Sequence, residues 1–258
     1  MVHFVGAGPG AVDLITVRGK ELIEKADVII YAGSLVNPAL LDFAREGCLV
    51  YNSAHMNLEE IIQVMKDCDG ELVRLHTGDP SIYGAIREQM DILDEEGIPY
   101  DICPGVSSMS GAAAALRAEY TLPGVSQSII ITRAEGRTGV PRGQELKDMA
   151  VHGSTMVLFL SSGMAQKVSD DLKAGGYPGN TAVAVVYKAT WPDEKIIYTT
   201  VDDMVRDMEE NGIERTALII VGNVLDSEYE LSRLYDKDFE TLYRKAKPDG
   251  DEGDREGS

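Results

Sequence analysis

Three times in the first half of the chain, an apolar run breaks into a loop of glycine, proline and small polar residues, and a helical pattern follows. Residues 2–5 run into Gly6-Ala7-Gly8-Pro9-Gly10. Residues 71–75 run into His76-Thr77-Gly78-Asp79-Pro80-Ser81-Ile82-Tyr83-Gly84. Residues 100–102 run into Pro104-Gly105-Val106-Ser107-Ser108. This repeat constrains the fold more than any other feature. Strands that alternate with helices build a mostly parallel sheet, because each return to the sheet needs a crossover. The loops then gather along the carboxyl edge of the strands, where open α/β sheets bind their ligands.

The remaining periodicity fills in the plan. Residues 28–31 and 49–51 read as further strands, and 14–26, 39–45, 58–66, 86–95 and 106–116 as helices. From about residue 127 the pattern restarts. Strands are expected at 128–132, 155–160, 182–187, 194–199 and 217–221, and helices at 146–150, 165–174 and 201–211. The Trp191-Pro192-Asp193 turn before residues 194–199 signals a hairpin and antiparallel pairing in this half. The chain is therefore read as two α/β domains, 1–118 and 119–225. Residues 226–258 are read as a charged helix followed by a disordered acidic tail.

Charge and composition narrow the ligand. The chain has 24 Lys+Arg against 43 Asp+Glu, a formal net charge of -19, which disfavours nucleic acid as a partner. A small anion needs only a local basic cluster. No apolar run is long enough for a membrane span, and the amino terminus lacks the basic and apolar regions of a signal peptide, so a cytoplasmic setting is expected. Cys48, Cys68 and Cys103 have no paired spacing, which argues against a disulfide framework or a zinc site. No bound metal is expected.

The first loop formally fits the G-x-G-x-x-A dinucleotide pattern at Gly6, Gly8 and Ala11. Pro9 and Gly10 stand where that motif would already enter its helix. The acid expected about 20 residues on is also missing, with Tyr31-Ala32-Gly33-Ser34 in its place. Nicotinamide binding is thus disfavoured. Taken singly, each loop also reads as a tight turn, and Asp79-Pro80 as a turn without a ligand. Three such loops on one sheet edge favour a binding cleft.

Gly6–Gly10, Gly78-Asp79-Pro80, Pro104-Gly105-Val106-Ser107 and Pro192-Asp193-Glu194 together resemble the tetrapyrrole methyltransferases of the cobalamin and siroheme pathways. The resemblance runs in order from residue 2 to about 225. Tyr31-Ala32-Gly33-Ser34-Leu35-Val36, Thr132-Arg133 and Ala189-Thr190-Trp191-Pro192-Asp193-Glu194 are most similar to the branch that methylates C11 of precorrin-4 or cobalt-precorrin-4. The resemblance implies two α/β domains of the tetrapyrrole methylase type with a cofactor cleft between them, a homodimer, and S-adenosylmethionine as methyl donor, leaving S-adenosylhomocysteine. It assigns Pro9, Thr77, Gly78, Asp79, Ile82, Ser107, Ser108, Leu160 and Ala189 to the cofactor. It places Gly8, Gly10 and Ser34 on the tetrapyrrole side. Ser107-Ser108 replaces the Thr-Ala usual in the family, and Leu160 and Ala189 replace frequent Met and Gly.

A tetrapyrrole acceptor carries many carboxylates. Arg133, Arg137 and Arg142 cluster in a Gly-rich stretch and are the candidates to hold them, since Arg binds carboxylates bidentately. Lys188 is a weaker one. For a proton acceptor, His76, Tyr83 and Glu135 are candidates; His76 reads better as a packing residue. Trp191 is read either as a stacking platform for the macrocycle or as a brace for the turn after it. Alternatives within the fold are another ring-position methyltransferase or a diphthine synthase. Outside catalysis, a cofactor-binding module is the alternative.

Overall fold

A computed structural model describes residues 1–33, 35–226, 228–232, 234 and 236–246. The first sheet comprises β1 (Val2–Gly6), β2 (Val28–Tyr31), β3 (Leu49–Asn52), β4 (Leu72–His76) and β5 (Tyr100–Cys103). Between them run α1 (Val17–Lys25), α2 (Leu58–Lys66) and α3 (Arg87–Glu95), and α4 (Ser108–Leu116) follows β5. All the pairings are parallel, in the order β3-β2-β4-β1-β5. The sheet is covered on both sides, as a parallel sheet requires. Val2, Phe4, Ile30 and Leu72 face α2 and α3, while Val5, Ile29, Val73 and Leu75 face α1 and the 3-10 turn at Pro38–Phe43.

The second sheet comprises β6 (Ile129–Arg133), β7 (Thr155–Phe159), β8 (Ala182–Tyr187), β9 (Lys195–Thr200) and β10 (Ala217–Val221), in the order β6-β7-β10-β8-β9. Only β6 and β7 pair in parallel; the rest is antiparallel, including the hairpin of β8 and β9. Met156, Leu158, Val183, Val185, Ile219 and Val221 pack under α5 (Leu146–Ala150), α6 (Ala165–Ala174) and α7 (Met204–Glu210). Strand alternation turns Val157, Ala184, Val186, Leu218 and Ile220 the other way, onto Ala112 and Leu116 of α4. α4 therefore packs on the second sheet although it is contiguous in sequence with the first.

Three local expectations need correction. The helix expected over 14–26 starts at Val17, because the Thr16 hydroxyl accepts from Gly19 N at 3.0 Å and caps it; residues 12–14 form a separate 3-10 turn. Residues 39–45 form the 3-10 helix Pro38–Phe43, entered through the Asn37 cap. Among the described residues between 228 and 246 there is no α-helix where the charged helix is expected, and most have no regular structure. Residues 247–258, expected to be a disordered tail, lie outside the described residues.

Candidate active site

The chain leaves β1 through α1 to reach β2, and leaves β4 through α3 to reach β5, so these adjacent strands send their connections to opposite sides. Their carboxyl ends flank the crevice that such a reversal creates. Gly8 and Gly78 close it with two backbone hydrogen bonds, Gly78 N to Gly8 O at 2.8 Å and Gly8 N to Gly78 O at 3.3 Å. The third loop presses onto the same point. A Cβ on Gly6 would lie 2.6 Å from both Gly105 N and Gly78 O, so only glycine lets the loops meet.

Asp79 ties these loops together. One carboxylate oxygen accepts from Gly105 N at 2.8 Å; the other accepts from Ser81 N at 2.9 Å and from the Ser81 hydroxyl. Burial pushes its pKa up, but the hydrogen bonds from Ser81 and Gly105 outweigh burial and hold the carboxyl below its usual range.

The second sheet supplies the opposite wall. Because β10 is antiparallel to both β7 and β8, its start and their ends share one edge. Phe159 and Leu160 come from β7, Lys188, Ala189 and Trp191 from the end of β8, and Thr216 and Leu218 from the start of β10. With the first-sheet loops they enclose an open cleft with a cavity volume of about 190 Å³. Tyr83, Leu160, Lys188 and Thr216 line it in left-handed conformations, with φ of 54°, 53°, 47° and 60°. Such strain persists only where surrounding structure enforces it, and it gathers at ligand sites.

All nine residues assigned to the cofactor line this one cleft: Pro9, Thr77, Gly78, Asp79, Ile82, Ser107, Ser108, Leu160 and Ala189. Two of the side chains are already engaged. Thr77 donates its hydroxyl to Leu35 O at 2.9 Å, and the Ser107 hydroxyl caps α4 by accepting from Met109 N at 3.4 Å. Residues without a motif complete the walls, notably Phe159, Ser162, Val186, Thr216 and Leu218. The only signal for most of them is their place at the ends of apolar strands.

The other candidates scatter. Tyr83 lines the cleft, 45% exposed, with its ring centroid 5.6 Å from that of Phe159. Burial raises its pKa, against an opposing pull from Arg133. His76 points away from the cleft into the α2–α3 side of the first sheet, 5% exposed and 6.1 Å from the Phe4 ring. Burial, helped by the charge of Arg74, lowers its pKa to about 3, and its Nε2 has no partner. Arg74 itself is buried without a carboxylate. It donates to Gln89 Oε1 and Ile30 O, each at 3.3 Å, and burial lowers its pKa to about 10.

Glu135 is exposed and outside the cleft. The Arg133 guanidinium donates to Thr138 O at 3.1 Å and Gly139 O at 2.8 Å, which folds its own loop. Arg137 and Arg142 are exposed and hold no ion pair among the described residues. Gly8 and Gly10 flank Pro9 in sequence but are not among the cleft's lining residues. Ser34 lies outside the described residues. Trp191 lines the cleft, is settled against Gly10 and donates from Nε1 to Pro9 O at 3.1 Å, so its indole braces the loop after β1 and not the turn that follows it. Among the described residues there is no group of three or more His, Cys, Asp or Glu arranged to hold a metal, and no helix long and apolar enough to cross a membrane.

The walls fit a cofactor of the S-adenosylmethionine kind. They are apolar at Ile82, Phe159, Leu160, Val186 and Leu218, for a flat ring and the methylene groups beside the sulfur, and carry a few hydroxyls and one ionised carboxylate beside them. Comparison with known proteins agrees with this architecture. Residues 1–205 match the model of the Tetrapyrrole (Corrin/Porphyrin) Methylases. A cobalt-precorrin-4 C(11)-methyltransferase of Methanocaldococcus jannaschii is 55% identical over 249 residues, covering 95% of this chain and 96% of its own. An X-ray structure of a cobalt precorrin-4 methyltransferase superposes with a TM-score of 0.86 at 48% identity, covering 88% of this chain and 96% of the other. The uroporphyrin-III C-methyltransferase of Thermus thermophilus, solved with S-adenosylhomocysteine, gives 0.75 at 25% identity, covering 87% and 98%. With the two-sheet fold, the glycine-loop cleft and a match across most of its length, this chain belongs to the tetrapyrrole (corrin/porphyrin) methylase family.

Proposed function

We propose that the protein transfers a methyl group from S-adenosylmethionine to C11 of precorrin-4 or cobalt-precorrin-4, a step in building the corrin ring. The observation that carries this reading is the 55% identity, over nearly the full length of both chains, to a relative of that name. Bound in the cleft, S-adenosylmethionine would supply a methyl already activated by its sulfonium. The chain's own work is then alignment, which can lower a barrier by roughly 7–11 kcal/mol. Pro9, Gly78, Ile82, Leu160 and Ala189 would hold the cofactor by shape and backbone contacts. Thr77, Ser107 and Ser108 border it with polar groups. Asp79 keeps its loop in place and a negative charge beside the donor's cation. The apolar wall excludes water from the reacting methyl.

On the acceptor side, Arg137 and Arg142 are the cations free to meet carboxylates, whereas Arg133 shapes the loop that carries them. Tyr83 is the titratable group of the three proton-acceptor candidates that faces the cleft. A homodimer in the cytoplasm completes the proposal, and light scattering of the purified protein tests the dimer. The activity is tested by incubating the protein with methyl-labelled S-adenosylmethionine and either metal-free or cobalt-bearing precorrin-4. Carbon NMR of the product should show the label on C11. Label on another ring carbon, or on none, overturns the reading.

A further inference from the structure

The loop between β8 and β9 reaches across the cleft and takes hold of the loop after β1. Ala11 N donates to Thr190 Oγ1 at 3.0 Å, and Trp191 Nε1 donates to Pro9 O at 3.1 Å. These bonds join residues 179 and 182 positions apart in sequence. A side chain on Gly10 would fall inside the indole of Trp191, so the glycine makes room for the ring. On α4, a Cβ on Gly111 would lie 3.0 Å from both Pro9 Cβ and Thr190 Cγ2. The first-sheet loop, the second-sheet loop and α4 thus close at a single knot.

The second-sheet loop is itself held under tension. Thr190 has φ 69° and Lys188 φ 47°. The Glu194 carboxylate accepts from Thr190 N at 2.6 Å, and Trp191 N donates to Lys188 O at 3.0 Å. The Lys188 ammonium lies 5.6 Å from the indole centroid and 2.6 Å from Asp193. With its rim on Gly10 and a cation over its ring, the indole is committed to the protein. Pro9, held by this knot, lines the cleft.

We propose that Thr190 and Trp191 are positioning residues: they strap the second sheet to the Pro9 loop and so fix the width of the cleft in which donor and acceptor are aligned. They act through that loop and not on the reacting atoms. This role rests on the methyl-transfer reading, since alignment matters only if two reactants share the cleft. A displacement of ~1 Å in such a site costs about 100-fold in rate.

The test uses the full chain with Thr190→Val, which removes the acceptor at constant shape, Thr190→Ser, which restores it, and Trp191→Phe, which keeps a ring but removes the N–H. Hydrogen exchange at the Ala11 amide reads the strap directly. Calorimetry with S-adenosylhomocysteine reads cofactor binding, and turnover of precorrin-4 gives kcat and KM. In Thr190→Val, Ala11 should exchange about 5–10 times faster, as loss of one hydrogen bond allows. Its kcat should fall about tenfold or more, with less than about threefold change in S-adenosylhomocysteine affinity. Thr190→Ser should recover both values. Unchanged exchange or unchanged kcat in Thr190→Val overturns the proposal. So does a parallel loss of kcat, cofactor affinity and melting temperature, which would mark a purely structural contact. If Trp191→Phe does not fold, the Thr190 pair decides alone. If wild type methylates no tetrapyrrole, the proposed function fails, while Ala11 exchange still shows whether the strap exists.

Discussion

Asp79 spends its carboxylate on neighbouring loops. Its Gly105 and Ser81 bonds hold its folded pKa below the ~3.9 of an unfolded Asp. A depressed carboxyl stabilises the fold above the unfolded value, and that contribution disappears as pH falls through the folded one. Asp79→Asn should therefore lower stability at pH 7 by about 1 kcal/mol, allowing for its partial exposure. The gap to wild type should narrow as pH falls below ~3.9 in urea titrations. His76 predicts a different window. Its folded pKa of about 3 lies below the ordinary 6.5, so the unfolded chain takes up a proton that the native one refuses. Stability is full above pH ~6.5 and falls below it, by about 2 kcal/mol at pH 5. His76→Leu should remove most of that slope; equal slopes in urea melts at pH 7.5 and 5 would refute the assignment. The cleft-lining residues of the three first-sheet loops were legible because those loops consist of residues chosen for backbone shape. His76 takes the packing role preferred for it over that of proton acceptor: it sits beside those loops in sequence but is buried on the other side of the sheet. Left-handed turns at Tyr83 and Leu160 were hidden, because neither residue type favours that conformation.

Strands and helices were readable where one face is apolar and the ends are marked. β2, α2, α5, α6, β8 and β10 have the bounds that periodicity implied. α2 carries a capping box, Asn57 with Glu60, that fixes its start. The misread segments lack such agreement: Thr16 interrupts an apolar pattern that looks continuous, and Pro38 opens a 3-10 helix in place of an α-helix. The partners of each element were less legible than its type. Ala-rich α4 has two sheets within reach, and small residues favour either. It chooses the second, where Ala112 is fully buried against Val157, Ala184 and their neighbours. Ala112→Leu should then cost about 1–3 kcal/mol through overpacking. Thermal melts measure that loss, and an unchanged midpoint would show that the interface is loose.

The surplus of acid, a net -19, is a property of the entire surface rather than of the cleft. Its exposed pairs, such as Lys20–Glu24 and Arg87–Asp91, contribute little each, so repulsion between like charges dominates. Salt screens that repulsion, with a Debye length of ~10 Å at 0.1 M and ~3 Å at 1 M. The melting temperature should rise as potassium chloride is raised over this range; a flat or falling curve would mean that attractive pairs carry more of the stability.

The placement of β10 has a consequence for how the chain acquires its structure as it leaves the ribosome. Every strand of the first sheet lies before residue 104, so that sheet can close while the rest is still being made. The second sheet cannot close so early. Its middle strand, β10, is its last to be synthesised, and until Val221 emerges β7 and β8 have no strand between them. During that interval the apolar side of α4 has been made but its seat has not. The nascent protein therefore spends more than a hundred residues of elongation as one finished sheet carrying an uncovered helix, and a shielding chaperone would have most to do then.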